Sequence, residues 1–169
     1  LGVDLGRPTV VVAYHPVTIA RDTLREADAL FAALEAVPDQ IVFCYPNADA
    51  GSRALIERTR EFAAGRPGRH LFVNLDGVTY WSLLRHASAL VGNSSSGIME
   101  APAFALPTVN VGQRQQGRER APNVLDAAPV APAILEALGK ARSDAFRTSL
   151  AGMTNPYGDG FASDRIVEV

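Results

Sequence analysis

The segment His86–Ala101, HASALVGNSSSGIMEA, decides how this sequence folds. Its apolar run at Ala89, Leu90 and Val91 passes through Gly92 and Asn93 into three consecutive serines, then Gly97, then an apolar stretch carrying Glu100. That order is the pattern of a buried strand ending in a tight turn from which a helix starts at once. Ser94, Ser95 or Ser96 is the expected N-cap, and Gly97 lets backbone approach closely. Such a turn suits an anion. The first amides of a helix lack intrahelical partners, the helix dipole adds partial positive charge, and serine hydroxyls add donors without bulk. Phosphate is the expected ligand, although a serine run before a helix often does no more than cap it.

The flanking sequence alternates strand and helix. Upstream, Thr9–Tyr14 (TVVVAY) is an unbroken β-branched run, as expected of a strand buried on both faces, and it ends at His15-Pro16. Arg21–Val37 has helical spacing, with Leu24, Ala27, Leu30, Phe31 and Leu34 on one face and Asp22, Arg25, Glu26 and Asp28 opposite. A strand at Gln40–Tyr45 stops at Pro46-Asn47, a helix follows over Gly51–Ala64, and a third strand covers His70–Asn74. Thr79 is the expected cap of a helix containing Tyr80, Trp81, Leu83 and Leu84, in which Tyr80 and Trp81 read as core anchors, Tyr80 being also a candidate to border the base. Downstream, a single helix is expected over Gly97–Ala105, then a fifth strand at Thr108–Val111, the polar loop GQRQQGRERAPN and a short apolar stretch at Val124-Leu125. Helices at Ala131–Leu138 and Ser143–Leu150, the turn NPYGDG and a helical segment from Phe161 complete the chain. Alternation at this pitch predicts right-handed crossovers and a Rossmann-like, doubly wound parallel sheet in the α/β class.

The 169 residues, 47% of them hydrophobic, suit one compact domain with a full core. A net charge of -2 argues against nucleic acid as a partner, because that affinity rests on a basic surface. No apolar run approaches the roughly 20 residues of a membrane span. Cys44 is the single cysteine, which excludes an internal disulfide and a cysteine-rich metal site and suggests the cytoplasm. The chain begins with Leu1, from which upstream residues are expected.

Polar residues interrupt the pattern just after strands: His15 after the first, Asn74 and Asp76 after the third, Asn93 to Gly97 after the fourth, Gly112 to Arg120 after the fifth. In a parallel sheet these positions share one edge and can converge on one ligand. The last loop carries Arg114, Arg118 and Arg120, and arginine's planar fork matches phosphate oxygens in two places at once. Glu100, one turn beyond the serines, is suited to accept hydrogen bonds from the hydroxyls of an attached ribose.

The segment Val91–Leu125, VGNSSSGIMEAPAFALPTVNVGQRQQGRERAPNVL, with NPYGDGFASDRI at 155–166 and His15-Pro16, resembles the UDP-N-acetylglucosamine 2-epimerases. The NSSSG turn resembles the hydrolysing branch of that family, whose non-hydrolysing relatives carry a DSGG-type turn instead. The resemblance implies a two-domain GT-B architecture of which this chain is the C-terminal half, the N-terminal domain lying outside it. It implies UDP or UDP-N-acetylglucosamine as ligand, no cofactor, no metal, and a homo-oligomer at full length. Ser95 and Ser96 with Gly97, flanked by Asn93 and Ser94, would hold the diphosphate, Glu100 the ribose and Arg114 the rim. Asn74 and its neighbours to Gly77 would read the base, and His15 would face the diphosphate or sugar as the catalytic residue of this half. The implied reaction is loss of the sugar C2 proton with elimination of UDP, then addition of water to give N-acetylmannosamine, with the main carboxylate acid and base supplied by the absent half. Two other readings stand beside it: the donor-binding half of a GT-B glycosyltransferase, and a nucleotide-sensing module that keeps only the pocket. The exposed helix faces around Asp22, Glu26, Glu35 and Glu57, together with His70 and His86, read as structural or solvated. The apolar Phe161, Ile166 and Val167 are expected to stay uncovered in this half alone.

Overall fold

A computed structural model describes residues 2–17, 25–45 and 51–168. The sheet is built from β1 (Thr9–Ala13), β2 (Gln40–Cys44), β3 (Arg69–Phe72), β4 (Ala89–Gly92), β5 (Thr108–Val111) and β6 (Val124–Ala127). All neighbours pair in parallel, in the order β3-β2-β1-β4-β5-β6. This is the doubly wound α/β fold that the alternation predicts, with its switch point between β1 and β4.

The β-branched run of β1 serves two cores at once. Val10 and Val12 face one side, packed with Ala27, Leu30 and Leu34 of α1 (Arg25–Glu35), Leu55 and Phe62 of α2 (Ser52–Ala63), and Ile134 and Leu138 of α5 (Ala131–Ala141). Val11 and Ala13 face the other, against Leu83 and Leu84 of α3 (Gly77–His86) and Ala87 just after it. A strand buried on both faces needs apolar side chains at every position, which is why no polar alternation is visible there. The remaining helices are α4 (Ser96–Met99), α6 (Asp144–Ser149) and α7 (Ala162–Val167). No described helix is long and apolar enough to cross a membrane.

Several expectations need correction. The stretch Gly97–Ala105 is not one helix: α4 has four residues, and a 3-10 turn at Ala101–Phe104 replaces its continuation. Pro102 explains the break, since it has no N–H to donate back to Ile98 and its ring crowds the preceding turn. Asp76, not Thr79, caps α3, accepting the Thr79 amide at 3.0 Å and its hydroxyl at 2.6 Å. Trp81 is 48% exposed rather than a core anchor, because Tyr80, Leu83, Leu84 and Ala87 form the inward stripe and Trp81 falls beside it. The stretch at Val124-Leu125 belongs to a sixth strand, on the sheet edge. Residues 21–24 of the first expected helix and the turn at Pro46-Asn47 lie outside the described residues. Phe161, Ile166 and Val167 are uncovered, as expected.

Candidate functional site

The chain ends β1 at Ala13 and β4 at Gly92, side by side at the switch point. Gly92 has φ 144°, and a Cβ there would stand 2.1 Å from the Ala13 carbonyl oxygen, so only glycine lets β4 leave the sheet so close to β1. The next two amides, of Asn93 and Ser94, both donate to that same oxygen at 3.2 Å. The serine turn is thereby fixed against the exit of β1.

A cavity of about 690 Å³ opens above this point. His15, Asn74, Ser94, Ser95, Ser96, Glu100 and Arg114 line it, together with Cys44, Tyr45, Ser52, Phe72 and Tyr80. Seven of the nine expected site residues therefore share one space. Asn93 and Gly97 do not line it, and their roles are structural. The Asn93 side chain is fully buried, its Oδ1 accepting the His15 N–H at 2.7 Å and its Nδ2 donating to the His15 carbonyl at 2.8 Å. Gly97 is the contact between α4 and β5, where a Cβ would come within 2.5 Å of the Thr108 methyl.

The arginine loop folds back onto the serine turn. Arg114 Nη1 donates to the Asn93 carbonyl at 3.1 Å, and Gln115 Nε2 donates to the same oxygen at 2.7 Å. Gln115, which sequence reasoning passed over, is 2% exposed and acts as the loop's buried anchor. Arg118 and Arg120 point elsewhere: Arg118 reaches the Met99 sulfur at 3.3 Å, and Arg120 pairs with Asp126 at 3.0 Å. The turn NPYGDG ties the same two segments together, Asn155 donating to the Met99 carbonyl at 2.9 Å and Tyr157 to the Glu119 carbonyl at 3.1 Å.

Among the described residues lining the cavity, Arg114 is the one guanidinium and Glu100 the one carboxylate. The helix dipole contributes little at the serine turn, because a four-residue helix has too few aligned peptides to build one. Attraction for an anion there comes from amides, hydroxyls and Arg114. The Ser95 side chain makes no capping bond. Ser94 Oγ accepts the Ser96 amide at 3.3 Å, and Ser96 Oγ donates to Glu100 Oε2 at 2.6 Å. The Tyr80 hydroxyl lies 2.8 Å from Ser96 Oγ. Tyr80, expected as a core anchor able to border the base, does line the cavity: a tyrosine on the inward stripe of α3 carries a polar tip that needs a partner at the sheet's carboxyl edge. Burial pushes its phenol above the ordinary range, and pushes the Cys44 thiol up to about 12, so neither is an anion near neutral pH. Asn74 takes a left-handed backbone, φ 52°, which turns the chain after β3 along the cavity rim. His70 bonds Gln40 Oε1 at 3.0 Å and plays no part in the site. No group of three or more metal-ligating side chains occurs among the described residues.

This arrangement can hold a polyanion with hydroxyl-bearing substituents, with donors from the serine turn and Arg114 and an acceptor carboxylate at Glu100. A family model described as UDP-N-acetylglucosamine 2-epimerase matches residues 3–169. Among similar proteins, a hydrolysing GDP/UDP-N,N'-diacetylbacillosamine 2-epimerase of Campylobacter jejuni is 34% identical over 129 residues, covering 75% of this chain and 34% of that protein. A hydrolysing UDP-N,N'-diacetylbacillosamine 2-epimerase of Legionella pneumophila is 32% identical over 169 residues, covering 99% of this chain and 44% of that protein. The crystal structure of a Neisseria meningitidis UDP-N-acetylglucosamine 2-epimerase bound to its nucleotide sugar superimposes with a TM-score of 0.67 at 18% identity, over 96% of this chain and 43% of that one. The chain thus spans well under half the length of the relatives it matches, and its fold is that of one half of a GT-B architecture.

Proposed function

Since the chain belongs to the UDP-N-acetylglucosamine 2-epimerase family, we propose that it is the nucleotide-holding, C-terminal half of a hydrolysing 2-epimerase acting on a UDP-linked N-acetylated amino sugar. The observation that carries this reading is the meeting of the serine turn and Arg114 at the switch-point cavity, with Arg114 Nη1 3.1 Å from the Asn93 carbonyl oxygen. Ser94, Ser95, nearby backbone amides and Arg114 would surround the diphosphate, Glu100 would accept from the ribose hydroxyls, and the backbone around Asn74 would meet the base.

In the proposed reaction a base removes the proton from sugar C2, the C1–O bond breaks, and its electron pair leaves with UDP, producing a C1–C2 double bond. Water then adds, hydroxyl to C1 and proton to C2 from the opposite face. Negative charge grows on the leaving diphosphate, so donors already in place around it lower the barrier without having to reorganise. His15, 8% exposed at the exit of β1, lines the cavity and is this half's candidate for touching the leaving oxygen or the sugar. The carboxylates that move the protons would come from the N-terminal half.

Two substrates deserve the same assay. The family description names UDP-N-acetylglucosamine, whereas the Campylobacter and Legionella relatives are named for N,N'-diacetylbacillosamine. The intact protein is incubated with each UDP-sugar and no acceptor. Release of UDP together with the free 2-epimeric sugar is expected for at least one. UDP binding without turnover of either would overturn the epimerase reading in favour of a transferase half or a nucleotide-sensing module.

A further inference from the structure

The serine nearest Glu100 has only one proton to give. Ser96 Oγ donates to Glu100 Oε2 at 2.6 Å, a length typical of a hydroxyl on a carboxylate. With that proton engaged, the Tyr80 hydroxyl, 2.8 Å away, has to be the donor to Ser96 rather than the acceptor. Burial holds the Tyr80 proton firmly in place near neutral pH, as such a donor requires. The polarity of the chain is therefore fixed from phenol to hydroxyl to carboxylate.

Resting on the nucleotide reading above, we propose that Tyr80 and Ser96 are positioning residues for the ribose, not phosphate ligands: Tyr80 orients Ser96, and Ser96 fixes Glu100 so that its remaining lone pairs accept the two ribose hydroxyls. This departs from the role that the family resemblance gives Ser96. The three residues come from two elements, α3 and the α4 turn, and all three line the cavity. One short bond, from Ser96, restrains the Glu100 carboxylate, and the bond from Tyr80 restrains Ser96 in turn. A carboxylate so held loses less side-chain entropy when a diol binds, because the freedom of a long acidic side chain has already been given up in the folded protein. Ser95, one position earlier, is left as the side-chain donor to phosphate, with Ser94 beside it.

The test uses a pair of probes that differ only at the ribose. UDP and 2',3'-dideoxy-UDP carry the same base and diphosphate, and only UDP can engage Glu100 through hydroxyls. Their dissociation constants are measured by calorimetry on the intact wild-type protein, on Tyr80→Phe and on Ser96→Ala. Tyr80→Phe keeps the ring that packs against the buried cluster containing Leu83, Leu84 and Leu106 and removes one oxygen. The expected result is that wild type prefers UDP, and that each substitution weakens UDP binding about three- to tenfold, the range of one hydrogen bond, while leaving dideoxy-UDP within about twofold. Equal weakening of both probes in Ser96→Ala would make Ser96 a phosphate donor and overturn the proposal. Unchanged UDP affinity in both variants would overturn it as well. Failure of wild type to bind either probe would instead remove the nucleotide reading, and with it this one. Should Tyr80→Phe not fold, the Ser96→Ala ratio alone decides.

Discussion

Asn93 and His15, 78 residues apart, are joined by two hydrogen bonds that form a closed ring: the Asn93 amide oxygen takes the His15 N–H at 2.7 Å and its nitrogen gives to the His15 carbonyl at 2.8 Å. The pair copies a strand ladder for one step beyond the point where β1 and β4 separate. It fixes the backbone of the candidate catalytic histidine to the turn that would hold the diphosphate. The Asn93 carbonyl simultaneously accepts from Arg114 and Gln115, so three loops depend on one residue.

Replacing Asn93 with alanine should therefore cost stability and binding together. It strands a buried N–H and a buried C=O, each worth roughly 1 to 3 kcal/mol when unpaired. We expect a loss of about 2 to 5 kcal/mol in urea unfolding, with UDP affinity falling in parallel. Asn93→Asp, which keeps the acceptor but sets a carboxylate oxygen against the His15 carbonyl, should also destabilise. A change under about 1 kcal/mol in both would show that the ring does not hold the site.

Gly97 gives a prediction about packing alone. A Cβ at this position meets the Thr108 Cγ2 atom at 2.5 Å, so Gly97→Ala should push α4 off β5 at a cost of about 1 to 3 kcal/mol. Thr108→Ser removes that methyl and keeps the hydroxyl that Asn123 contacts at 3.3 Å. The double variant should recover part of the loss in a thermal or urea double-mutant cycle. Strict additivity would mean that the contact is not what requires glycine.

Asp76 gives the pH dependence. The Thr79 hydroxyl and amide hold its carboxyl below the usual carboxylate range. A depressed folded pKa means that the cap stabilises α3 above the unfolded value and that this contribution disappears as pH falls through the folded one. Asp76→Ala should lower the melting temperature at pH 7, and the gap to wild type should close as pH drops below about 4. A gap that persists at acid pH would assign the effect to something other than the ionised cap.

How far the sequence could be read follows from what each residue depends on. The central strands were legible because a run such as TVVVA in β1 has only one burial pattern that accommodates it, and the order of loops along one sheet edge then brought His15, the serines and Arg114 together. The edge strand β6 was not legible, since Val124–Ala127 is four residues long, half-exposed and interrupted by Asp126. Asn93 looked like a ligand because an asparagine beside three serines has the right chemistry; only the three-dimensional closeness of Ala13 and Gly92 turns its amide inward to His15. Trp81 looked like core because its neighbours are core, and one residue of helical rotation, about 100°, moves it out. Tyr80 was legible as a core anchor at the cavity's border, but its partner Ser96 was not, because the meeting of α3 with the serine turn is a tertiary contact.

Ser95 and Arg114 should both hold the diphosphate, by forces that salt separates. Arg114 is exposed, so its attraction for phosphate is screened by added ions, whereas a hydroxyl donor contributes through a short contact that ionic strength barely touches. Arg114→Ala should weaken UDP binding by about 1 to 3 kcal/mol in dilute buffer and by visibly less in 1 M salt, where the screening length is about 3 Å. Ser95→Ala should cost about 1 kcal/mol at both. Arg114→Lys should not restore affinity, because an ammonium cannot bond the Asn93 carbonyl and grip phosphate with a planar fork at the same time. Calorimetric titrations of UDP into the three variants at two salt concentrations decide the matter. If affinity is unchanged in all of them, neither residue touches the diphosphate, and the convergence of serine turn and arginine loop serves only to close the sheet edge.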